Sequence, residues 1–324
     1  MSDPVIANAP SQDHPTLADL AADPAADRAA KRAPQIAAPV VPLEPLSSLL
    51  IEPLVKAALL EDIGRGGDLT SEATVPADAR AQVVIAARKP GRIAGLDLAR
   101  AAFRLVDPTL EIAIATRDGE DVAPGDVVCA IKGRARSILT AERVALNFLG
   151  HLSGVATATA NIATAIAHTK AKVCCTRKTT PGLRVVEKFA VRAGGGLNHR
   201  FGLDDGILIK DNHIAVAGGI DAAVTGARAR AGHMVRIEVE VDTLDQLEEC
   251  LALGVDAVLL DNMSPATLAD AVARIDGRAW AEASGNITVE TAAAVAEAGV
   301  DLISSGAITH SAPTLDLGLD YVSA

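Results

Sequence analysis

The second half of the chain repeats one kind of unit, a short apolar run followed by an alanine-rich stretch. Six such runs occur between residues 172 and 305. Apolar runs that alternate with helical stretches at this spacing predict βα units and a parallel sheet. An open doubly wound sheet and a closed barrel both fit that alternation. The runs are KVCCT (172–176), GILIK (206–210), RIEVEV (236–241), DAVLLD (256–261), AWAEAS (279–284) and DLISS (301–305).

Each run ends in polar or charged residues, and this favours the barrel. In a βα barrel the carboxyl ends of the strands lie together on one rim, where such folds build their sites. Six runs are fewer than the eight strands of a complete barrel, so the sequence predicts an incomplete α/β barrel of about six parallel strands. The residues at the run ends are Thr176, Arg177, Lys210, Glu240, Asp261, Ser284, Gly285, Ser305 and Gly306.

The run RIEVEV shows the alternation of a strand with two different faces. Arg236, Glu238 and Glu240 lie on one face, and the intervening Ile and Val residues lie on the other. The apolar face can pack on helices while the charged face enters the lumen of the barrel. A strand that served only the core would not need two inward carboxylates.

The chain before residue 151 has a different pattern. LSSLLIEPLVKAALLEDI (46–63) predicts a helix, while VVIAARKPGRIAGL (83–96) and LEIAIATRDGEDVAPGDVVCAIKG (110–133) predict strands broken by Gly and Pro turns. Residues 1–42 hold seven of the 16 prolines, and they have neither a strand or helix period nor the apolar core of a signal peptide. We therefore expect a disordered Pro/Ala-rich tail at 1–42.

Composition excludes several classes of protein. Forty-one acidic residues oppose 30 basic ones, and aromatic residues make up 2%, which argues against a nucleic-acid-binding surface. No apolar stretch approaches the roughly 20 residues of a membrane span, so we expect a soluble protein. The four cysteines have no spacing typical of a zinc site, and we expect small buried side chains in a reducing cytoplasm.

Residues 174–213 form a basic island in this acidic chain. Basic residues that gather at the rim of a barrel favour a small, multiply anionic ligand. We expect Arg177, Arg200 and Lys210 to bind that ligand, because they lie at run ends or in the loop GGGLNHRFG. Lys188 and Arg192 fall within the predicted helix of PGLRVVEKFAVRAGG, where we expect surface cations. Arg184 stays a cation at the start of that helix, without an assigned ligand.

Glu240 and Asp261 are carboxylates at the ends of two successive runs. Such a pair can hold Mg²⁺, accept hydrogen bonds from sugar hydroxyls, or act as acid and base. An ion pair with Lys210 is compatible with each of these roles, and the sequence leaves them open.

SGNITVE (284–290) and SSGAITHS (304–311) both place Ser and Gly directly after a run. Small residues let backbone N–H groups approach an anion, and the N-terminus of a helix favours phosphate. The last two loops of a βα barrel are its usual phosphate site. The pair therefore predicts phosphate binding, with Thr288 as an N-cap.

These motifs together resemble quinolinate phosphoribosyltransferase, also called nicotinate-nucleotide pyrophosphorylase (carboxylating). The resemblance covers residues 45–324 in order, including EDIGRGGDLT (61–70) and ILTAERVALNFLGHLSG (138–154). Its other motifs are TRKTTPGLR, GGGLNHRFGLDDGILIKDNHI, EVEV, LLDN, EASGNIT and SSGAITHS. The resemblance implies a type II phosphoribosyltransferase fold. An α/β sandwich of residues 43–150 plus 308–324 would adjoin a catalytic barrel of residues 151–307.

The same resemblance implies an enzyme, a pentosyltransferase of de novo NAD biosynthesis. It would join quinolinate to phosphoribosyl pyrophosphate with Mg²⁺, giving nicotinate mononucleotide, pyrophosphate and CO₂. It also implies a homodimer, or a multiple of it, in which each active site is closed by the N-terminal domain of the neighbouring subunit.

Roles of individual residues follow from this resemblance. Quinolinate would be held by Arg177, His199, Arg200 and Lys210, with Arg143 contributed by the partner subunit. Lys210, Glu240 and Asp261 would be catalytic, and the two carboxylates would also serve as metal ligands. Phosphoribosyl pyrophosphate would be bound by Lys178, Glu240, Asp261, Ser284, Gly285, Asn286, Ser305 and Gly306.

Three alternatives stay open from the sequence. The first is a phosphoribosyltransferase of the same barrel type that acts on another ring acid. The second is a phosphate-binding aldolase that uses Lys210 to form a Schiff base. The third is a sensor without catalysis that binds the same ligands.

Overall fold

The computed structural model describes residues 43–322, so the predicted tail at 1–42 lies outside the described residues. The first part contains α1 (Ser48–Ile63), α2 (Leu69–Thr74), β1 (Arg80–Ala87), β2 (Gly91–Arg92), α3 (Leu96–Val106), β3 (Glu111–Ile114), β4 (Asp121–Val122) and β5 (Val127–Arg134). These bounds confirm the helix predicted at 46–63 and the strands predicted in 83–96 and 110–133.

A four-stranded antiparallel sheet organises this first part, in the order β12–β1–β5–β3, where β12 is Leu317–Tyr321. The end of the chain therefore completes the first sheet, with Ile85 opposite Leu319. The returning segment passes very close to a helix at Gly154, where a Cβ would lie 2.1 Å from the Pro313 carbonyl oxygen. That approach requires glycine.

One long helix, α4 (Ala135–Ala165), joins the two parts of the molecule. It packs against α1 and α3 on one side and against α5 (Arg184–Ala193) and α10 (Val289–Glu297) on the other. The division expected between residues 150 and 151 falls inside this continuous helix, and the exact domain limits stay a prediction.

The second part is a parallel six-stranded sheet with helices between its strands, as predicted. The strands are β6 (Lys172–Cys174), β7 (Ile207–Ile209), β8 (Ile237–Val241), β9 (Ala257–Asp261), β10 (Trp280–Ser284) and β11 (Leu302–Ser304). Their order is β6–β11–β10–β9–β8–β7. No pairing of strands joins β6 to β7 among the described residues, so the barrel is incomplete.

The remaining helices of the second part are α6 (Asp211–Ala217), α7 (Ile220–Arg230), α8 (Leu244–Leu253), α9 (Pro265–Ile275) and α11 (Ala307–His310). Local capping sets several of their starts. The Ser264 hydroxyl accepts the Thr267 amide before α9, and Pro265 occupies its first position. Thr288 precedes α10 as expected, with Glu290 in the first turn.

The faces of β8 alternate as the sequence predicts. Ile237, Val239 and Val241 are buried within one continuous hydrophobic core. Glu238 and Glu240 point the other way, toward His199 and Lys210 respectively. In the part of the chain that the structure describes, no helix is long and apolar enough to cross a membrane.

Candidate active site

Two loops of small residues follow β10 and β11. Gly285 has φ of 103° and Asn286 has φ of 49°, both in the left-handed region. A Cβ at Gly285 would lie 2.1 Å from Asn262 Oδ1, so this turn requires glycine. The buried Ser305 amide donates to the Cys174 carbonyl at 3.0 Å, which links the second loop to the end of β6.

Lys178 lies directly against the second loop. A Cβ at Gly306 would come within 2.8 Å of Lys178 Cδ. The Thr309 hydroxyl also donates to the Lys178 carbonyl at 2.7 Å. The lysine predicted to bind a phosphorylated substrate is therefore placed beside the loops predicted to hold phosphate.

Lys210 and Glu240 form an ion pair between the ends of β7 and β8. Asp261, at the end of the adjacent β9, accepts a hydrogen bond from Asn262 Nδ2 at 2.6 Å. The backbone N–H of Asn262 also donates to the Ser284 carbonyl, so Asn262 connects the Asp261 carboxylate to the first loop. The sequence reasoning did not single out Asn262, although it directly follows the run that ends at Asp261.

Arg177 and Arg200 supply cations that lack a full set of protein partners. The Nε atom of each is buried and makes no hydrogen bond within the described residues. Arg200 Nη1 donates to the Gly206 carbonyl at 2.9 Å, which fixes its guanidinium. Burial lowers the pKa of Arg200, and the charge of Arg177 lowers it further. Two neighbouring guanidiniums with free donors form a seat for an anion.

His199 is engaged at both ring nitrogens. Its Nδ1 accepts the Arg200 amide at 2.8 Å, and its Nε2 lies 2.9 Å from Glu238 Oε2. Burial opposes protonation, but the hydrogen bond with Glu238 and the nearby Glu282 raise the pKa of His199 overall. The bond to Nδ1 nevertheless requires an unprotonated nitrogen, so the ring is neutral with its proton on Nε2. Its predicted contact with quinolinate would require one of these bonds to break, and that role stays a prediction.

Glu282, on β10, is a buried carboxyl that the sequence reasoning missed. It is 2% exposed, and its Oε1 has no hydrogen-bond partner among the described residues. Burial and the charge of Glu238 raise the pKa of Glu282 to about 8. The alternation within AWAEAS places Glu282 on the face opposite Ala281 and Ala283, which is the same pattern that drew attention to RIEVEV.

Lys188 corrects one sequence-based expectation. We predicted a surface cation on α5, but the side chain is 3% exposed. Its Nζ donates to Cys175 Sγ at 3.0 Å and to the His199 carbonyl at 2.9 Å. The prediction was wrong because this helix turns its charged face toward the barrel end. Arg192 is exposed, as expected.

The loop that carries Arg177 and Lys178 is held by two residues of α5. Arg184 donates to Thr179 Oγ1 at 3.0 Å and to the carbonyls of Arg177 and Phe201. Fully buried Glu187 accepts the Thr180 amide at 3.1 Å. Arg184 therefore has a structural role, and the basic loop is fixed before any ligand binds.

Arg143 lies on α4 with 64% of its side chain exposed. Its one recorded ionic contact among the described residues is with Glu142, at 4.0 Å.

Two groups of residues could be considered for a metal ion. Glu240 and Asp261 offer carboxylate oxygens of the kind that Mg²⁺ prefers, at the ends of adjacent strands. His199, Glu238 and Glu282 bring three ligand-type atoms within 4.8 Å of one another. This second group fits a metal less well, because His199 already shares its proton with Glu238 and the raised pKa of Glu282 favours the protonated acid.

Fold and site together define a class of protein. An α/β barrel whose last two loops suit phosphate, with two guanidiniums and two carboxylates at the same end, is typical of an enzyme that acts on phosphorylated, anionic ligands. Comparison with known proteins then gives the family. Residues 68–153 match the model of the quinolinate phosphoribosyl transferase N-terminal domain, and residues 155–320 match that of the C-terminal domain.

Individual relatives agree with this result. The probable nicotinate-nucleotide pyrophosphorylase [carboxylating] of Bacillus subtilis is 43% identical over 275 residues, covering 85% of this chain and 94% of the relative. The crystal structure of NadC from Streptococcus pyogenes superposes with a TM-score of 0.82 at 43% identity, covering 86% of this chain and 100% of that one. The nicotinate-nucleotide pyrophosphorylase of Francisella tularensis gives a TM-score of 0.83 at 39% identity, covering 86% and 99%.

This chain therefore belongs to the quinolinate phosphoribosyltransferase family. The resemblance drawn from its motifs is confirmed, and so is the α/β fold with a separate N-terminal domain.

Proposed function

We propose that this chain is a pentosyltransferase of de novo NAD biosynthesis. It transfers phosphoribosyl from phosphoribosyl pyrophosphate to quinolinate, giving nicotinate mononucleotide, pyrophosphate and CO₂. One observation carries the proposal: free guanidinium donors of Arg177 and Arg200 lie at the same end of the barrel as the loops at Gly285 and Gly306. A dicarboxylate and a phosphorylated sugar are the ligands that these two halves of the site would take together.

The arginines account for recognition of a dicarboxylate. A guanidinium fork binds a carboxylate at two points, and it does so more strongly where water is excluded. The buried Nε atoms of Arg177 and Arg200 are unpaired in the protein, so quinolinate carboxylates would satisfy them. Lys178 would contact the phosphoribosyl pyrophosphate beside Gly306.

The carboxylates account for the chemistry at the sugar. Breaking the bond to pyrophosphate builds positive charge on the ribose ring, which Glu240 and Asp261 would stabilise from the ends of β8 and β9. The ring nitrogen of quinolinate attacks the anomeric carbon and becomes a pyridinium. That pyridinium then accepts the electron pair left by departing CO₂, so decarboxylation follows transfer, and the ring carbon takes up a proton.

We also propose that Mg²⁺ accompanies phosphoribosyl pyrophosphate. Glu240 and Asp261 would hold it, since one oxygen of each accepts a hydrogen bond from Lys210 or Asn262 while the other oxygen accepts none within the described residues. The ion would supply charge neutralisation to the pyrophosphate group. Titration with a chelator should abolish turnover, and added Mg²⁺ should restore it.

A homodimer with shared sites is the assembly that we propose. Arg143 is exposed, and its ionic contact within the described residues is with Glu142 at 4.0 Å, which leaves its guanidinium available to a partner's site. Mixed heterodimers of Arg143→Ala and Lys210→Ala subunits should regain partial activity, because one of the two sites then has both residues. Absence of complementation in verified heterodimers would exclude the shared site.

We place the protein in the cytoplasm because its four cysteines are free and buried, a state suited to a reducing compartment. Cell fractionation with an antibody to the protein tests this location. Recovery in an organelle or a secreted fraction would contradict it.

One assay decides between this function and its alternatives. The protein is given phosphoribosyl pyrophosphate, Mg²⁺ and either quinolinate or nicotinate, and nicotinate mononucleotide is followed. We expect turnover with quinolinate, while turnover with nicotinate alone would favour a different ring acid. The aldolase is disfavoured because the Lys210 ammonium pairs with Glu240, and an ammonium is not a nucleophile. Borohydride trapping of an adduct on Lys210 would reverse that judgement.

A further inference from the structure

A compact group of ionisable residues lies beneath the two arginines. His199 Nε2 lies 2.9 Å from Glu238 Oε2 and 3.8 Å from Glu282 Oε1. The group is joined to the substrate seat, since the Arg200 amide donates to His199 Nδ1. None of these three side chains belongs to the phosphate loops or to the Lys210–Glu240 pair.

The geometry limits how much charge this group can carry. Because Nδ1 accepts a hydrogen bond, the imidazole has a single proton, which it shares with Glu238. A neutral imidazole offsets the negative charge of one carboxylate only weakly. It cannot offset the charge of a second carboxylate as well. Two carboxyl groups this close in a site sheltered from water cannot both ionise without a large cost, so one of them keeps a proton.

Glu282 is the carboxyl that keeps it. The Glu282 side chain is 2% exposed, whereas the Glu238 side chain is 12% exposed. Glu238 receives an N–H donor from His199, whereas Glu282 Oε1 receives none within the described chain. Burial and the charge of Glu238 act together to raise the pKa of Glu282 to about 8.

The other charged neighbours do not change this assignment. Cys174 and Cys175, at the end of β6, add negative character to the surroundings of Glu282 when either is ionised. Lys188, from α5, directs its ammonium to Cys175 Sγ and the His199 carbonyl. From β11, the Ser304 hydroxyl lowers the pKa of Glu282 through a hydrogen bond, but burial and the charge of Glu238 outweigh this effect. The Lys188 ammonium is therefore engaged by other partners.

We propose that Glu282 is a positioning residue held as a neutral carboxylic acid beneath the quinolinate seat, and that its neutrality permits the dicarboxylate to bind. The inference rests on the proposed function for its substrate but not for its charge state. When Glu282 ionises at alkaline pH, a second negative charge appears close to His199, whose Nδ1 accepts the Arg200 amide. The ionised Glu282 carboxylate would then repel the quinolinate dianion electrostatically without contacting it.

The first experiment measures KM for each substrate from pH 6 to 9.5, in about half-unit steps. For the native enzyme we expect the quinolinate KM to rise by up to about tenfold per pH unit above the transition, while that of phosphoribosyl pyrophosphate stays nearly flat. Glu282→Gln keeps the shape and the neutral charge. It should keep a quinolinate KM close to the native value at neutral pH and should lose the alkaline rise. An unchanged alkaline rise in Glu282→Gln would overturn the proposal.

The second experiment reads the proton directly and needs no substrate. Infrared spectra of the native, ligand-free protein should contain the C=O stretch of a buried carboxylic acid at neutral pH, and this band should disappear as pH rises through the transition. Glu282→Gln should remove the band. Glu187→Gln is the matched control, because Glu187 is equally buried but accepts from His151 and Thr180; this variant should keep the band.

The two experiments separate two failures. A band that depends on Glu282 without any turnover of quinolinate would refute the proposed function and leave the charge state established. No band in a folded native protein would refute the inference about Glu282, whatever the enzyme turns over. If Glu282→Gln does not fold, the band and the pH profile of the native protein still decide.

Discussion

The buried ammonium of Lys188 offers the sharpest test of how this site is held together. Lys188 is 3% exposed and donates to Cys175 Sγ at 3.0 Å and to the His199 carbonyl at 2.9 Å. Lys188→Met keeps the length and the apolar contacts of the stem, so little cavity forms. It removes two hydrogen bonds from a charged donor, each worth about 1.5–3 kcal/mol, and leaves a buried carbonyl without its donor. We expect a loss of about 3–5 kcal/mol of unfolding free energy.

The loss of unfolding free energy in Lys188→Met should depend on pH, because the Lys188 ammonium donates to Cys175 Sγ and the Cys175 thiol titrates. The hydrogen bond with Cys174 and the contact with Lys188 lower the pKa of Cys175 to about 6, although burial acts in the opposite direction. A group with a depressed folded pKa stabilises the protein above its unfolded pKa, near 9, and loses that contribution as pH falls toward 6. The difference between native protein and Lys188→Met should therefore be largest at about pH 9 and narrow toward pH 6.

Urea unfolding at several pH values measures both quantities, with equal m-values as the check that the comparison is valid. Lys170→Met is the matched control, because Lys170 is 60% exposed and its pair with Asp301 is a surface ion pair worth at most about 1 kcal/mol. The reasoning is refuted if Lys188→Met destabilises the protein no more than Lys170→Met does. A double-mutant cycle with Cys175→Ala should give a coupling of about 1–3 kcal/mol.

Two further substitutions separate the two halves of the site. Arg200→Lys loses the planar fork but keeps the charge, so we expect the quinolinate KM to rise about 10- to 100-fold with little change for phosphoribosyl pyrophosphate; equal effects on both substrates in steady-state kinetics would contradict this assignment. Gly306→Ala places a Cβ 2.8 Å from Lys178 Cδ and should raise the KM of phosphoribosyl pyrophosphate about tenfold by displacing that side chain. Gly226→Ala, which meets open space, should leave both KM values unchanged, and a matching loss in this control would show that the effect of Gly306→Ala is not local.

The sequence predicted the framework of the barrel because its signals are local. Each of the six apolar runs became a parallel strand, and the alternation in RIEVEV correctly placed Glu238 and Glu240 on the polar face. Charged or small residues at strand ends were informative for the same reason, since parallel strands bring those ends to one rim. The role of Lys178 was implied by the family resemblance instead, and its side chain lies beside Gly306.

What the sequence did not provide were contacts that depend on how elements pack. Whether a helix turns a lysine to water or to the barrel is decided by neighbours distant in the chain, and Lys188 was misplaced for that reason. Glu282 was missed although AWAEAS has the same alternation as RIEVEV. AWAEAS contains a single charged residue, so its polar face is less distinct than that of RIEVEV, which has three. The pairing of His199 with Glu238 spans 39 residues and requires the folded barrel.

Transfer to the ring nitrogen and loss of CO₂ belong to one reaction at this site, and no feature of the proposed enzyme is more central. Quinolinate labelled with ¹³C in the carboxyl group next to the nitrogen tests this directly, when labelled CO₂ and nicotinate mononucleotide are followed together in one sample with phosphoribosyl pyrophosphate. The account predicts that the two appear at equal rates and that neither appears without phosphoribosyl pyrophosphate. Release of labelled CO₂ with free nicotinate, before or without the nucleotide, would contradict it.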